Sequence, residues 1–201
     1  MLVAGIKSRP VYTGLTIQPH ARRHIFALEG EGAKALLDQR AALDETALSR
    51  SEILYVAPGS QGSGLDEALR HLGTDMFFTA PTIATLLFRL KGSLAAAHMG
   101  TRLYISGTEG FIGQAMLVAL DYGMDHASVV TEHRGSLARR VQCVHCKGIT
   151  DDVTTSPFSC SHCGLALLVR DHYSRRLAAF QGVNIDAEEP GSAPEPEELF
   201  L

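Results

Sequence analysis

The sequence predicts an α/β protein in which a parallel sheet with flanking helices is followed by a small cysteine-bearing module of short strands. Three observations carry that expectation. Between residues 51 and 135, short apolar runs alternate with longer segments whose leucines recur at helical spacing, the pattern of strand–helix crossovers. After Arg139-Arg140, cysteines, turn formers and short strands replace the long apolar helices. Two Cys-x-x-Cys pairs lie in that second stretch, separated by 13 residues.

Residues 1–50 carry the weakest pattern: strand character over Val11–Ile17, then a helix over Glu31–Leu43 with Leu36, Leu37 and Leu43 near one face. Ile53-Leu54-Tyr55-Val56 reads as a buried strand. The glycine-rich turn from Pro58 to Gly64 follows, and Leu65, Leu69 and Leu72 continue at helical spacing. Met76–Thr79 is the next strand. A helix with Pro81 in its first turn carries Ile83, Leu86, Leu87, Leu90 and Leu94. Leu103-Tyr104-Ile105 is a third strand, leading through Gly107-Thr108-Glu109-Gly110 into a helix with Ile112, Ala115, Met116, Ala119 and Leu120. Ser128–Thr131 closes the series. The expected domains are an α/β domain at 1–138, a metal-binding module at 139–183 and an acidic, proline-rich tail at 184–201. Six acids and no base fall between Asp186 and Leu201, which predicts a solvated tail.

Composition narrows the function classes. The chain has 201 residues, 45% of them apolar, and a formal charge of −4, so it can bury a sizeable core and offers no basic surplus for nucleic acid. No apolar run approaches the ~18 residues of a membrane span, and the opening MLVAGIKSRP has no signal-peptide core. The expected location is cytoplasmic. Four cysteines in such a chain point to reduced thiolates, hence metal or redox chemistry.

Cys143-Val144-His145-Cys146 and Cys160-Ser161-His162-Cys163 carry the chemistry. A Cys-x-x-Cys pair bends into a knuckle that presents two thiolates to one metal, and a glycine after the second cysteine supplies the tight turn; Gly148 and Gly164 lie at or near that position. Two knuckles make a closed tetrahedral site of four thiolates, which predicts metal binding by Cys143, Cys146, Cys160 and Cys163. Zinc is the expected ion, and a single iron in the same tetrahedron is the alternative. Four thiolates fill the shell, so His145 and His162 are expected as exposed knuckle residues. His172 has no nucleophile or second carboxylate in its motif and is read as a surface residue. Arg170, Arg175 and Arg176, beside Leu177 and Phe180, read equally as a strip suited to gripping an acidic partner and as a solvated helix face. Gly59-x-x-Gly62-x-Gly64 has neither the dinucleotide order nor a P-loop ending, and is read as a turn.

Two resemblances rest on these residues. From Ile53 to about Gly135, the strand and glycine turn at Val56–Gly64, the segment Leu103–Phe111 and the closing Val130-Thr131-Glu132-His133 resemble the pyridine-nucleotide domain of ferredoxin reductases and phthalate dioxygenase reductases. That resemblance implies the fold. Ser106-Gly107-Thr108 stands where those reductases have Cys-Gly-Pro, so the resemblance leaves hydride transfer open. About fifty residues precede the domain, too few for a flavin barrel. Over most of the chain, and chiefly in Arg139–Lys147 and Cys160–Gly182, the sequence resembles the small subunit of dimethylamine monooxygenases, haem-dependent oxidative N-demethylases. That resemblance implies an accessory subunit without its own active site, flavin or haem. It also implies a complex with a haem oxygenase subunit, a flavin and iron–sulfur reductase subunit and a folate-binding subunit, acting on dimethylamine with NADPH and O2. An electron relay and a zinc-ribbon adaptor are the alternatives that the residues leave open.

Overall fold

A computed structural model describes residues 8–57 and 64–201. The glycine-rich turn expected at Pro58–Gly64 lies outside the described residues except for Gly64. The chain divides into two compact units: Tyr12–Gly135, and Ser136–Leu201 together with the segment that ends at Val11.

The first unit is built from β1 (Arg23–Glu29), α1 (Gly32–Asp38), α2 (Glu45–Leu48), β2 (Ser51–Val56), α3 (Leu65–Arg70), β3 (Met76–Ala80), α4 (Ile83–Ala95), β4 (Thr101–Gly107), α5 (Glu109–Asp121) and β5 (Val129–His133). The five strands form one parallel sheet in the order β3-β2-β1-β4-β5, the α/β architecture that the sequence predicts. Its central strand is the exception. No strand at β1 is among the expectations for residues 1–50, although Ile25-Phe26-Ala27-Leu28 is a continuous apolar run like that of β2. All four are fully buried. Helices cover both faces of a parallel sheet, so a central strand keeps no polar side. Phe26 and Leu28 pack in one core layer with Tyr55, Tyr104 and Leu36. Ile25 and Ala27 pack in the other with Leu54, Leu86, Leu90, Ile105 and Phe111.

Local signals explain where the helices begin. Thr82 Oγ1 accepts the Thr85 N–H at 3.1 Å, so α4 starts after a threonine cap, and Pro81 stands before that cap rather than inside the first turn. Thr108 caps α5. The helix expected over Glu31–Leu43 stops at Asp38 and gives way to a 3-10 turn at Arg40–Ala42. Val11–Ile17 forms no strand. Leu15 and Ile17 are buried all the same, and the Leu15 N–H donates to the Glu132 carboxylate at 2.6 Å.

The second unit contains β6 (Arg139–Cys143), β7 (Ile149–Val153), β8 (Thr155–Ser156), β9 (Phe158–Ser159), β10 (Ala166–Ser174), β11 (Ala179–Asn184) and β12 (Glu197–Glu198). Five of these form a sheet in the order β7-β6-β11-β10-β9, and β12 pairs with β8. Ser8, expected with the first domain, bridges to His172 in this unit. The tail expected to be solvated ends in a docked strand: Glu197 and Glu198 pair with Ser156 and Thr155, and Phe200 is buried. Among the described residues, no helix is long and apolar enough to cross a membrane.

Candidate metal centre

β6 delivers Cys143 to the first turn, and β7 returns the chain after it. β9 ends one residue before Cys160, and β10 leaves after Cys163. The two turns repeat the same hydrogen bonds. Lys147 N–H donates to the Cys143 carbonyl, as Gly164 N–H does to that of Cys160. Cys143 N–H donates to the Gly148 carbonyl, as Cys160 N–H does to that of Leu165. The repeat corrects one expectation from sequence. Gly164 has φ +75°, as a left-handed turn residue should, but in the first knuckle that place belongs to Lys147 at φ +64°. Gly148 serves a different need. A Cβ there would lie 2.4 Å from the His162 ring, so only glycine lets that ring close over the first knuckle.

The four sulfur atoms all lie within 4.8 Å of one another. The Cys143–Cys163 pair is 3.9 Å apart and the Cys146–Cys160 pair 3.8 Å. These distances exclude disulfides, whose sulfurs are bonded at about 2.05 Å. They agree with the edge of a tetrahedron around one ion, about 3.8 Å for metal–sulfur bonds near 2.3 Å. The close pairs cross between knuckles, so an ion would tie the β6–β7 hairpin to the β9–β10 hairpin. Cys143 and Cys160 are buried and pack with Leu167, Phe158 and Leu165, while Cys146 is exposed.

Charge supplies the second argument. Burial opposes ionisation of Cys160, but backbone N–H groups of His162 and Cys163 and the neighbouring sulfurs win, and its thiol is brought down to about 7. At Cys163 the Leu165 N–H lowers the pKa. Burial and the sulfurs of Cys160, Cys146 and Cys143 outweigh it and push the thiol up to about 12. Four clustered sulfurs cannot all ionise against one another without a cation between them. The donor set therefore fits a thiophilic ion.

The histidines in the knuckles have other roles. His162 Nε2 donates to the Ile149 carbonyl at 2.8 Å, and His145 is exposed. His172 is exposed as well, and its neighbour Asp171 is held by Arg9 and Arg139. Arg170, Arg175 and Arg176 are exposed, whereas Phe180, expected beside them as an interface residue, is buried at 2% exposure.

The first unit contains a feature that the sequence argument does not reach. In open α/β sheets, ligands enter where the strand order reverses, here between the ends of β1 and β4. Glu29 fills that place: its carboxylate accepts the Thr108 N–H at 2.8 Å and the Thr108 hydroxyl at 2.7 Å. A Cβ on Gly107 would lie 2.7 Å from the Glu29 side chain, and one on Gly32 would lie 2.1 Å from the Ser106 carbonyl oxygen. Both glycines are required by close packing. The signal available in sequence was the run Ile25–Leu28 ending at Gly30-Glu31-Gly32.

Sheet unit and cysteine module together define a two-part protein, an α/β domain joined to a module whose four clustered cysteines could hold a metal ion. Residues 4–129 match the family described as dimethylamine monooxygenase subunit DmmA-like, N-terminal domain, and residues 140–183 match its C-terminal domain. The chain belongs to this family of DmmA-like subunits. A relative from Ectopseudomonas mendocina (strain ymp), the heme-dependent oxidative N-demethylase delta subunit, is 30% identical over 163 residues, covering 76% of this chain and 90% of the relative. Among solved structures, an intact type IV self-sufficient cytochrome P450 monooxygenase aligns at 19% identity and TM-score 0.46, over 68% of this chain and 19% of that one. The flavohem-like FAD/NAD binding domain of nitric oxide dioxygenase from Vibrio cholerae O1 biovar El Tor aligns at 15% identity and TM-score 0.44, over 63% and 56%.

Proposed function

We propose that this chain is an accessory subunit of a haem-dependent, cytoplasmic oxidative N-demethylase that acts on dimethylamine with NADPH and O2, and that it docks the catalytic subunits without an active site of its own. Its partners in that reading are the haem oxygenase, the flavin and iron–sulfur reductase and the folate-binding subunits. In that reading residues 12–135 are the frame, and the second unit carries the metal module at 139–183 and the tail. Cys143, Cys146, Cys160 and Cys163 hold a structural zinc.

The observation that carries this reading is the closure of both places where chemistry would be expected. Protein sulfurs offer all four corners of the metal tetrahedron, which leaves no corner for a substrate or water. At the strand-order reversal, a carboxylate occupies the space that a pyrophosphate would need. Zinc in such a site has no redox chemistry and stabilises the module that carries it. The 30% identity with a named N-demethylase subunit supports the complex. The test is purification of the native assembly followed by metal analysis of this subunit. One zinc per chain and co-elution with the haem subunit are expected.

One observation favours a second reading, in which an iron held by the same four cysteines relays electrons. Cys146 is exposed, and its sulfur accepts the Gly148 N–H at 3.4 Å. Hydrogen bonds to sulfur and solvent exposure are levers that set the potential of an iron–thiolate centre. A visible spectrum of the aerobically purified subunit separates the two readings: a colourless protein excludes the relay.

A further inference from the structure

The last residues of the chain lie in a groove of the second unit in the manner of an extended peptide on a receptor. Glu197 and Glu198 pair antiparallel with Ser156 and Thr155. The N–H groups of Leu199 and Phe200 both donate to the Thr154 carbonyl at 3.0 Å, and the Leu201 carbonyl accepts the Leu137 N–H at 2.9 Å. Main-chain bonds fix the register, and of the last three residues only Phe200 is buried. Phe200 is 9% exposed, against 54% for Leu199 and 70% for Leu201.

The pocket that takes Phe200 is built around a cation. The Arg139 guanidinium lies between two phenyl rings, 4.0 Å from the centroid of Phe200 and 4.1 Å from that of Phe180. Arg139 is buried, and Asp171 accepts from its Nη2 at 2.9 Å while also pairing with Arg9. Val141, Val153 and Val169 complete the apolar wall. All of these pocket residues except Arg9 belong to β6, β7, β10 and β11, so the pocket does not depend on the segment that fills it. From Asp186 onward, Phe200 is the one buried residue. A single aromatic anchor, a two-residue ladder and an acidic tether with three prolines are the marks of a detachable ligand. A core strand is held by far more.

We propose that this groove is a peptide-recognition site, that its ligand class is an extended segment presenting one aromatic side chain, and that the chain's own Glu197–Leu201 segment is its resident occupant. The buried arginine reads the aromatic face, and the Thr154–Ser156 backbone reads the extended conformation. The tether sets an effective concentration of roughly millimolar, so the intact chain keeps the site filled against dilute competitors. A protein bearing the same pattern competes for the same contacts.

The test uses a fluorescein-labelled peptide with the sequence of Glu195–Leu201, followed by anisotropy against the full chain and its Phe200→Ala variant. Saturable binding to the variant is expected, and binding to the wild type roughly 100-fold weaker. A peptide with alanine at the phenylalanine position should not bind. One with cyclohexylalanine, which keeps the shape and loses the π face, should bind more weakly than the parent. The proposal is overturned if a folded, metal-loaded variant ignores the peptide, if variant and wild type bind it equally, or if the alanine peptide binds as well as the parent. If Phe200→Ala fails to fold, a full-length chain with a protease site between Glu189 and Pro194 is cut after folding. The freed strap must then exchange with excess labelled peptide, and its retention overturns the proposal.

Discussion

The carboxylate of Glu29 and the backbone N–H of Thr108 meet at 2.8 Å across the point where the strand order of the sheet reverses, and the Thr108 hydroxyl reaches the same oxygen. Thr108 also caps α5, so the acid completes the start of a helix in the place a nucleotide phosphate would take. A negative charge suits that place, because the positive end of the helix dipole lies there.

The first prediction concerns this pair. NADPH titrated into the isolated protein by calorimetry should show no micromolar binding, because its phosphates would have to displace a bound carboxylate. Replacing Glu29 by alanine should lower stability by about 1–3 kcal/mol, the usual effect of removing charge-assisted hydrogen bonds. A urea titration measures the loss. Micromolar NADPH affinity in the wild type would revive a direct redox role.

The second concerns the cysteines. Serine at Cys143, Cys146, Cys160 or Cys163 should abolish stoichiometric metal binding and unfold the second unit while residues 12–135 keep their structure. A structural zinc contributes on the order of 10 kcal/mol to the folding of a small module, whereas the sheet unit has its own two-layered core. Metal analysis and amide exchange on each variant report the two effects separately. Full metal content in all four variants would refute the site.

The third tests the docking role. Arg175 and Arg176 are exposed on the turn between β10 and β11, so reversing both to glutamate should leave fold and metal content intact. Release of the subunit from the haem oxygenase subunit in a pull-down is the expected result. Undiminished recovery would remove this turn from the interface.

The fourth is a pH dependence at Asp171. Burial raises its carboxyl, but hydrogen bonds and charge from Arg9 and Arg139 outweigh that and hold it below the ordinary carboxylate range. A depressed native value means that the stabilisation is fully present above the unfolded value near 4 and is lost as the pH falls through the native one. Asp171→Asn should therefore be less stable than the wild type at pH 7, and the gap should narrow toward pH 3. Thiolate protonation also weakens the metal site in acid. The difference between the two proteins, measured by chemical denaturation at each pH, isolates the carboxylate. A gap that stays constant with pH would show that Asp171 does not titrate against its arginines.

The fold class, the grouping of the four cysteines and most elements of the sheet unit are legible in the amino-acid order, because their signals are local. Helical leucine spacing in α4 and α5, the apolar runs of β2 and β4, and two Cys-x-x-Cys turns are each written within a few residues. What depends on contacts between distant segments came from the folded chain. β1 carries an apolar run like those of β2 and β4, but its position at the centre of the sheet follows from pairing with Ser51–Val56 and Thr101–Gly107. The place of Glu29 over Thr108 depends on that pairing. The acidic tail reads as solvated because no residue within it could bury Phe200. The partners are Arg139 and Phe180, and only the folded second unit brings that cation and ring to the end of the chain.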